Sequence, residues 1–151
     1  MSLENERAAF HQAHLAWADG DFERFMSFID DDIVYTVNVD GYQVPYASSA
    51  VGKDEVRWRL QLLLDTFFVA AFVVESLVHE PELSRTTVLG FYKHKQTGER
   101  LEVKVRFLGW VRNGLLTRIE EYHDAAYVES FERFVRHLEE AAGNSTAPGA
   151  G

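Results

Sequence analysis

Apolar residues recur near a 3.6-residue period through positions 4–18, at Phe10, Ala13, Leu15 and Trp17, and predict an amphipathic helix. Gly20 ends it, and Asp21 caps a second, shorter helix carrying Phe22, Phe25, Met26, Phe28 and Ile29. The acidic run Asp30-Asp31-Asp32 reads as a loop. Positions 33–39 alternate as a strand, with Asp40-Gly41 as a hairpin tip into a return strand over 42–44. The small residues of 45–52 form a further loop. Helical period returns over 53–66, where Val56, Leu60, Leu63 and Leu64 share a stripe.

Four strand-like runs follow, at 67–78, 86–94, 101–111 and 115–123. Glu80-Pro81-Glu82, Gln96-Thr97-Gly98 and Asn113-Gly114 separate them. Asn113-Gly114 is the sharpest signal, because both central residues of a type I′ turn need positive φ. A last helix spans 125–141, with Tyr127, Phe131, Phe134 and Leu138 as its apolar stripe. Residues 143–151 are small and read as a disordered tail, which leaves one domain over 1–142. Helices, a hairpin, a helix and then a meander predict an α+β fold, its helices gathered on one face of an antiparallel sheet of about four to six strands.

Composition narrows the partners. A chain of 151 residues can bury a full core without staples, and eleven Phe with three Trp point to a large core, an aromatic-lined cavity, or both. A net charge of −9 argues against nucleic acid, whose phosphates need clustered Lys and Arg, and against anionic membranes. No apolar run approaches the roughly 20 residues that span a bilayer. The start, Met-Ser-Leu-Glu-Asn-Glu-Arg, lacks the basic-then-apolar order of a signal peptide, so a cytoplasmic location is expected. Without cysteine there is no disulfide and no thiolate nucleophile.

Chemistry gathers at the end of the last strand, where Glu120, Glu121, Tyr122, His123 and Asp124 stand in place of Val, Ile and Thr. Period-two alternation puts Ile119, Glu121 and His123 on one face, so an inward Ile119 takes the other two with it. Burial raises a carboxyl towards neutrality and lets it shuttle a proton beside a carbonyl. Each candidate has a structural alternative. Glu121 can pair with a strand arginine such as Arg106, and Asp124 stands where the last helix needs an N-cap. Tyr35 is either a core tyrosine or a donor to a ligand carbonyl or enolate. His94 is either a half-exposed strand residue or a shuttle at the pocket mouth.

Trp17, Val37, Tyr46, Trp58 and Ile119 complete the candidate lining of a ligand pocket. His79, His94 and His123 show no paired spacing within one element, so no metal is expected, and no cofactor. His11 and His14 read as surface or helix-packing residues.

Four local patterns carry a family resemblance: Ala18-Asp-Gly-Asp-Phe-Glu-Arg-Phe, Asp31-Asp-Ile-Val-Tyr-Thr-Val, Val51-Gly-Lys-Asp-Glu-Val, and Asn113-Gly-Leu-Leu-Thr-Arg-Ile-Glu-Glu-Tyr-His-Asp. In this order and spacing the chain resembles the nuclear transport factor 2-like superfamily, and within it the SnoaL-like branch related to ketosteroid isomerases. The resemblance implies a strongly curved antiparallel sheet, a cone-shaped, cystatin-like roll with an apolar interior. It packs on three N-terminal and central helices plus a C-terminal helix, and is usually a homodimer. In similar epoxide hydrolases an acid at the Glu121 position belongs to the catalytic machinery; in similar polyketide cyclases an Asp close to Asp124 acts as acid and base.

The sequence also departs from these relatives. The general-base Asp that ketosteroid isomerases carry on the first strand is missing from Tyr35-Thr-Val-Asn38, and the Arg-x-Asp pair of the epoxide hydrolases is missing from Thr87-Val-Leu-Gly-Phe-Tyr. The expectation is a pocket for a small apolar or aromatic molecule. Its chemistry would be cofactor-free proton transfer (isomerisation, cyclisation or dehydration), and the alternative is a non-catalytic binding or assembly module.

Overall fold

A computed structural model describes residues 3–38 and 48–146. Helix α1 (Leu3–Ala18) stops at Gly20, whose φ of 74° suits glycine. Asp21 caps α2 (Phe22–Ser27), its Oδ1 accepting from the Arg24 N–H at 3.1 Å. Strand β1 covers Ile29–Val37 and β2 only Ala50–Val51; α3 follows over Lys53–Thr66. The meander is β3 (Phe67–His79), β4 (Ser84–His94), β5 (Arg100–Arg112) and β6 (Leu115–Tyr122), and α4 (Ala125–Thr146) closes the chain. At the β5–β6 turn, Asn113 has φ 53° and Gly114 φ 79°, the two positive values that the dipeptide predicts.

The six strands stand in the order β2-β1-β6-β5-β4-β3. Neighbours are antiparallel except β1 and β6, which run parallel, so the sheet is mixed where alternation alone suggested an antiparallel one. The physical reason is connectivity: the first long strand meets the last, and hydropathy alternation carries no direction. Asp30–Asp32 lie inside β1, not in a loop. A register shift between Ile29 and Val34 absorbs them, and Asp30 Oδ1 accepts from the Asp32 N–H at 2.9 Å. The expected hairpin return over 42–44 lies outside the described residues, while Ala50 and Val51, read as loop, pair with Tyr35 and Val34.

One sheet face meets α1, α2 and α3 around Phe10, Trp17, Met26, Ile29, Ile33 and Leu116. Gly109 of β5 lets α1 approach closely, since a Cβ there would sit 2.3 Å from the Phe10 ring. His14 belongs to this core, not to the surface. Its Nδ1–H donates to the Phe10 carbonyl at 2.8 Å, and its Nε2 accepts from the Thr86 hydroxyl at 3.0 Å. Among the described side chains of α4, Val135 is buried against Phe67 and Leu101, while Phe134 of the expected stripe is 42% exposed. Among the described residues no helix is long and apolar enough to cross a membrane.

Candidate functional site

The strand pairing builds the site. Tyr35 lies opposite Ile119, and Val37 opposite Glu121, which in turn faces Phe107. Ile119, Glu121 and His123 do share the inward face, as alternation predicts: the first two are buried, and the His123 side chain is 11% exposed. Asn38 fixes the end of β6. Its side chain accepts from the His123 N–H and donates to the His123 carbonyl, both at 2.8 Å, and its own N–H bonds the Glu121 carbonyl at 3.1 Å.

Arg59 enters from α3. It is 3% exposed, and its Nη2 donates to both Glu121 carboxylate oxygens at 3.3 Å. The guanidinium lies over the Tyr35 ring, 4.5 Å from its centroid. The Tyr35 hydroxyl donates to Glu121 Oε1 at 2.5 Å. His123 Nε2 stands 2.5 Å from Glu121 Oε2. An ionised carboxylate only accepts, so Nε2 carries the hydrogen of this bond, and the ring's other nitrogen is Nδ1. That Nδ1 is buried and has no partner among the described residues.

The electrostatics follow. Burial alone would raise the Glu121 carboxyl, as the sequence suggested. The Arg59 guanidinium, then His123 and Tyr35, outweigh burial and hold the carboxyl down at about 2. Burial works against the Arg59 charge as well, but the Glu121 carboxylate overrides it and keeps the guanidinium protonated. Burial, and then the Glu121 charge, push the Tyr35 hydroxyl up. The result is a buried cation–anion pair with the His123 imidazole against the carboxylate.

Tyr92 of β4 adds to this surface. Its ring folds back over Gly90, where a Cβ would meet ring carbon Cε2 at 2.6 Å. Its hydroxyl lies near Trp17 and within reach of the charges of Glu121 and Arg59. Burial foremost pushes that hydroxyl up to about 12.

The expected site residues divide. Glu121, His123 and Tyr35 converge, and Trp17, Val37 and Ile119 belong to the core cluster around them. The ion-pair partner of Glu121 is Arg59 from a helix, not Arg106, which is exposed on the opposite sheet face. Tyr35 commits its single proton to Glu121, so it does not donate to a ligand oxygen. Trp58 is 61% exposed, because the helical period that puts Arg59 in line with Val56 and Leu60 turns its neighbour away. His94 is enclosed rather than at a pocket mouth. It is 1% exposed against Phe67, with Nδ1 2.9 Å from Thr97 Oγ1 and Nε2 3.4 Å from Glu139 Oε1. Asp124 is exposed after β6, and Tyr46 lies outside the described residues.

Arg59, Asn38 and Tyr92 are the residues that sequence reasoning missed. Arg59 had a signal: a charge on the Val56–Leu60–Leu63 stripe of α3. Asn38 and Tyr92 had none: Asn38 is an exposed residue just past β1, and Tyr92 one of several aromatic strand residues. Elsewhere, an open cleft of about 370 Å³ lies between the β3–β4 turn and the end of β5, lined by Arg7, Ser84, Trp110 and Arg112 among others. Among the described residues no group of three or more His, Asp and Glu stands where it could hold a metal.

Comparison with known proteins comes to one fold. The profile of the SnoaL-like domain matches residues 8–119. No curated protein matches the sequence. An NTF2-like protein of unknown function from Burkholderia pseudomallei superposes with a TM-score of 0.73 at 15% identity, over 86% of this chain and 97% of its own. A Mesorhizobium loti protein provisionally named a SnoaL-like polyketide cyclase gives 0.65 at 20% identity, over 82% and 100%. TerC, co-crystallised with polyporic acid, gives 0.71 at 12% identity, over 87% and 98%. At these identities the likeness is one of fold.

Proposed function

The chain belongs to the SnoaL-like domain family, and from that premise we propose that it moves a proton on a small apolar or aromatic carbonyl compound without a cofactor, with His123 as the base. The observation that carries this reading is the buried Nδ1 of His123, which has no partner among the described residues, while the other ring nitrogen is held by the Glu121 carboxylate. A carboxyl held at about 2 is too weakly basic to take a proton from carbon. An imidazole is matched to the task near neutral pH, and the carboxylate behind it stabilises the imidazolium as it forms. Glu121 therefore orients and stabilises, Arg59 keeps it ionised, and Tyr35 and Asn38 hold the group in place.

The apolar neighbours Trp17, Val37, Phe107 and Ile119 support a ligand that is mostly hydrocarbon. TerC, of the same fold, was crystallised with polyporic acid, which supports the same class here. The homodimer common in such proteins would cover the outer face of β3, where Phe68, Val73 and Val78 are 54%, 46% and 54% exposed. Sedimentation velocity at micromolar concentration decides that point, and a monomer there rejects it.

The test of the chemistry is exchange of α-protons of aryl and cyclic ketones in D₂O, followed by NMR. Wild type should accelerate exchange, His123→Gln should abolish it, and Glu121→Gln should slow it. Full exchange activity in folded His123→Gln rejects His123 as the base. A wild type that binds these ketones without exchanging them leaves the protein a non-catalytic binder.

A further inference from the structure

We infer that the cleft between the β3–β4 turn and the end of β5 binds a small aromatic carboxylate, its anionic group received by Arg7 and Arg112 and its ring laid against Trp110. This site is separate from the Glu121–His123 cluster and does not rest on the proton-transfer reading. Between the two, the Phe10 ring covers Gly109, and His14 packs edge-on to Phe107 with 5.6 Å between ring centres.

The sheet makes the room. Strands β5 and β6 shift register between Trp110 and Val111, which leaves Thr117 without an opposite residue. Thr117 Oγ1 donates to the Trp110 carbonyl at 3.3 Å, and the Ser84 hydroxyl is engaged by His79 Nδ1 at 2.5 Å. With both hydroxyls committed, the arginines are the open donors of the cleft. Arg7 is half-buried on α1, and its Nη2 donates to the Glu80 carbonyl at 3.3 Å. That is the one protein acceptor its five N–H donors find among the described residues, and Nε is buried without any. Arg112 is exposed at the end of β5, with no acid paired to it among the described residues.

Charge and shape select the ligand. Two acids also line the cleft, but Arg85 meets Glu80 at 2.7 Å, so two cations stand against the single charge of Glu82. One net positive charge suits a monoanion better than a phosphate dianion, and the guanidinium fork matches a planar carboxylate. Pro81, Leu83 and Trp110 are apolar parts of the lining, and about 370 Å³ holds a ligand of ring size.

Benzoate is the probe, titrated into the isotope-labelled full chain and followed by NMR at the Arg7 Nε–H and the Trp110 indole N–H. Both signals should shift and saturate. Benzamide, of the same shape without the charge, should bind about tenfold more weakly or worse. Arg7→Gln, checked for folding by circular dichroism, should weaken benzoate about 10- to 100-fold, the range for hydrogen bonds to charged groups. Arg112→Gln, at an exposed position, should weaken it by up to about fivefold. Glu82→Gln removes the opposing charge and should strengthen binding by up to about fivefold, whatever the fate of the Arg7 variant.

Equal affinity for benzoate and benzamide overturns the inference, as does weaker binding in Glu82→Gln. Inorganic phosphate bound as tightly as benzoate rejects the aromatic carboxylate as the ligand class. Shifts at His123 with Arg7 and Trp110 unmoved place benzoate in the other site, which overturns this one and leaves the proton-transfer reading standing. No saturation at millimolar benzoate overturns it outright.

Discussion

Arg59→Met deletes the guanidinium that faces the Glu121 carboxylate while keeping an unbranched apolar stem in the core. In the wild type the Glu121 carboxyl is held at about 2, against an ordinary 4.5. At 1.36 kcal/mol per tenfold change in proton affinity, that gap is worth about 3 kcal/mol. A depressed carboxyl stabilises the fold above pH 4.5, and the stabilisation is lost as pH falls through 4.5 towards 2. In Arg59→Met, burial is left without its main opponent, so the folded carboxyl rises above 4.5. The folded state then holds the proton more tightly than the unfolded chain, and stability falls as pH rises.

The slope should therefore change sign. At neutral pH the variant should also lose about 3–5 kcal/mol, the usual result of leaving one member of a buried pair uncompensated. Urea unfolding of wild type, Arg59→Met and Glu121→Gln, measured between about pH 3 and pH 7 across the Glu121 window, gives the curves directly. Glu121→Gln removes the titrating group and should be flattest in the acid range. Contributions from other residues are common to all three and cancel in the differences. Parallel curves for wild type and Arg59→Met refute the reasoning, because they mean that Arg59 does not hold Glu121 ionised.

Two further outcomes test the core. His14 should stay neutral in the folded protein down to about pH 4: burial first, offset in part by the Phe10 carbonyl, lowers it from 6.5. Its stabilisation is present above pH 6.5 and lost as pH falls towards 4, so its imidazole NMR signal should not move near pH 6; a midpoint there sinks the assignment. Gly109→Ala places a Cβ 2.3 Å from the Phe10 ring and should cost about 1–3 kcal/mol by overpacking. Gly143→Ala, with nothing within 4 Å of its Cβ, is the control and should gain a few tenths of a kcal/mol or more from helix propensity. Equal urea midpoints for wild type and Gly109→Ala would mean that α1 does not sit so close to β5.

Local physics made most of the elements legible. Helical period, the Asp21 cap and Gly20 placed α1 and α2, the stripe placed α3 over Lys53–Thr66, and turn chemistry at Asn113-Gly114 placed the β5–β6 hairpin. Alternation alone turned Glu121 and His123 inward with Ile119. These features depend on neighbours a few residues apart, which a sequence displays.

Tertiary structure decided the rest. Whether Glu121 would be an acid or a carboxylate depended on which cation reached it, and Arg59 comes from 62 positions away on another element. Whether Tyr35 could serve a ligand depended on a partner 86 positions away. The parallel pairing of β1 with β6, the enclosure of His94 by α4 and the turn of Trp58 to solvent likewise depend on how finished elements meet. Charge state follows distance in space through desolvation and Coulomb interaction, and a sequence records only distance along the chain.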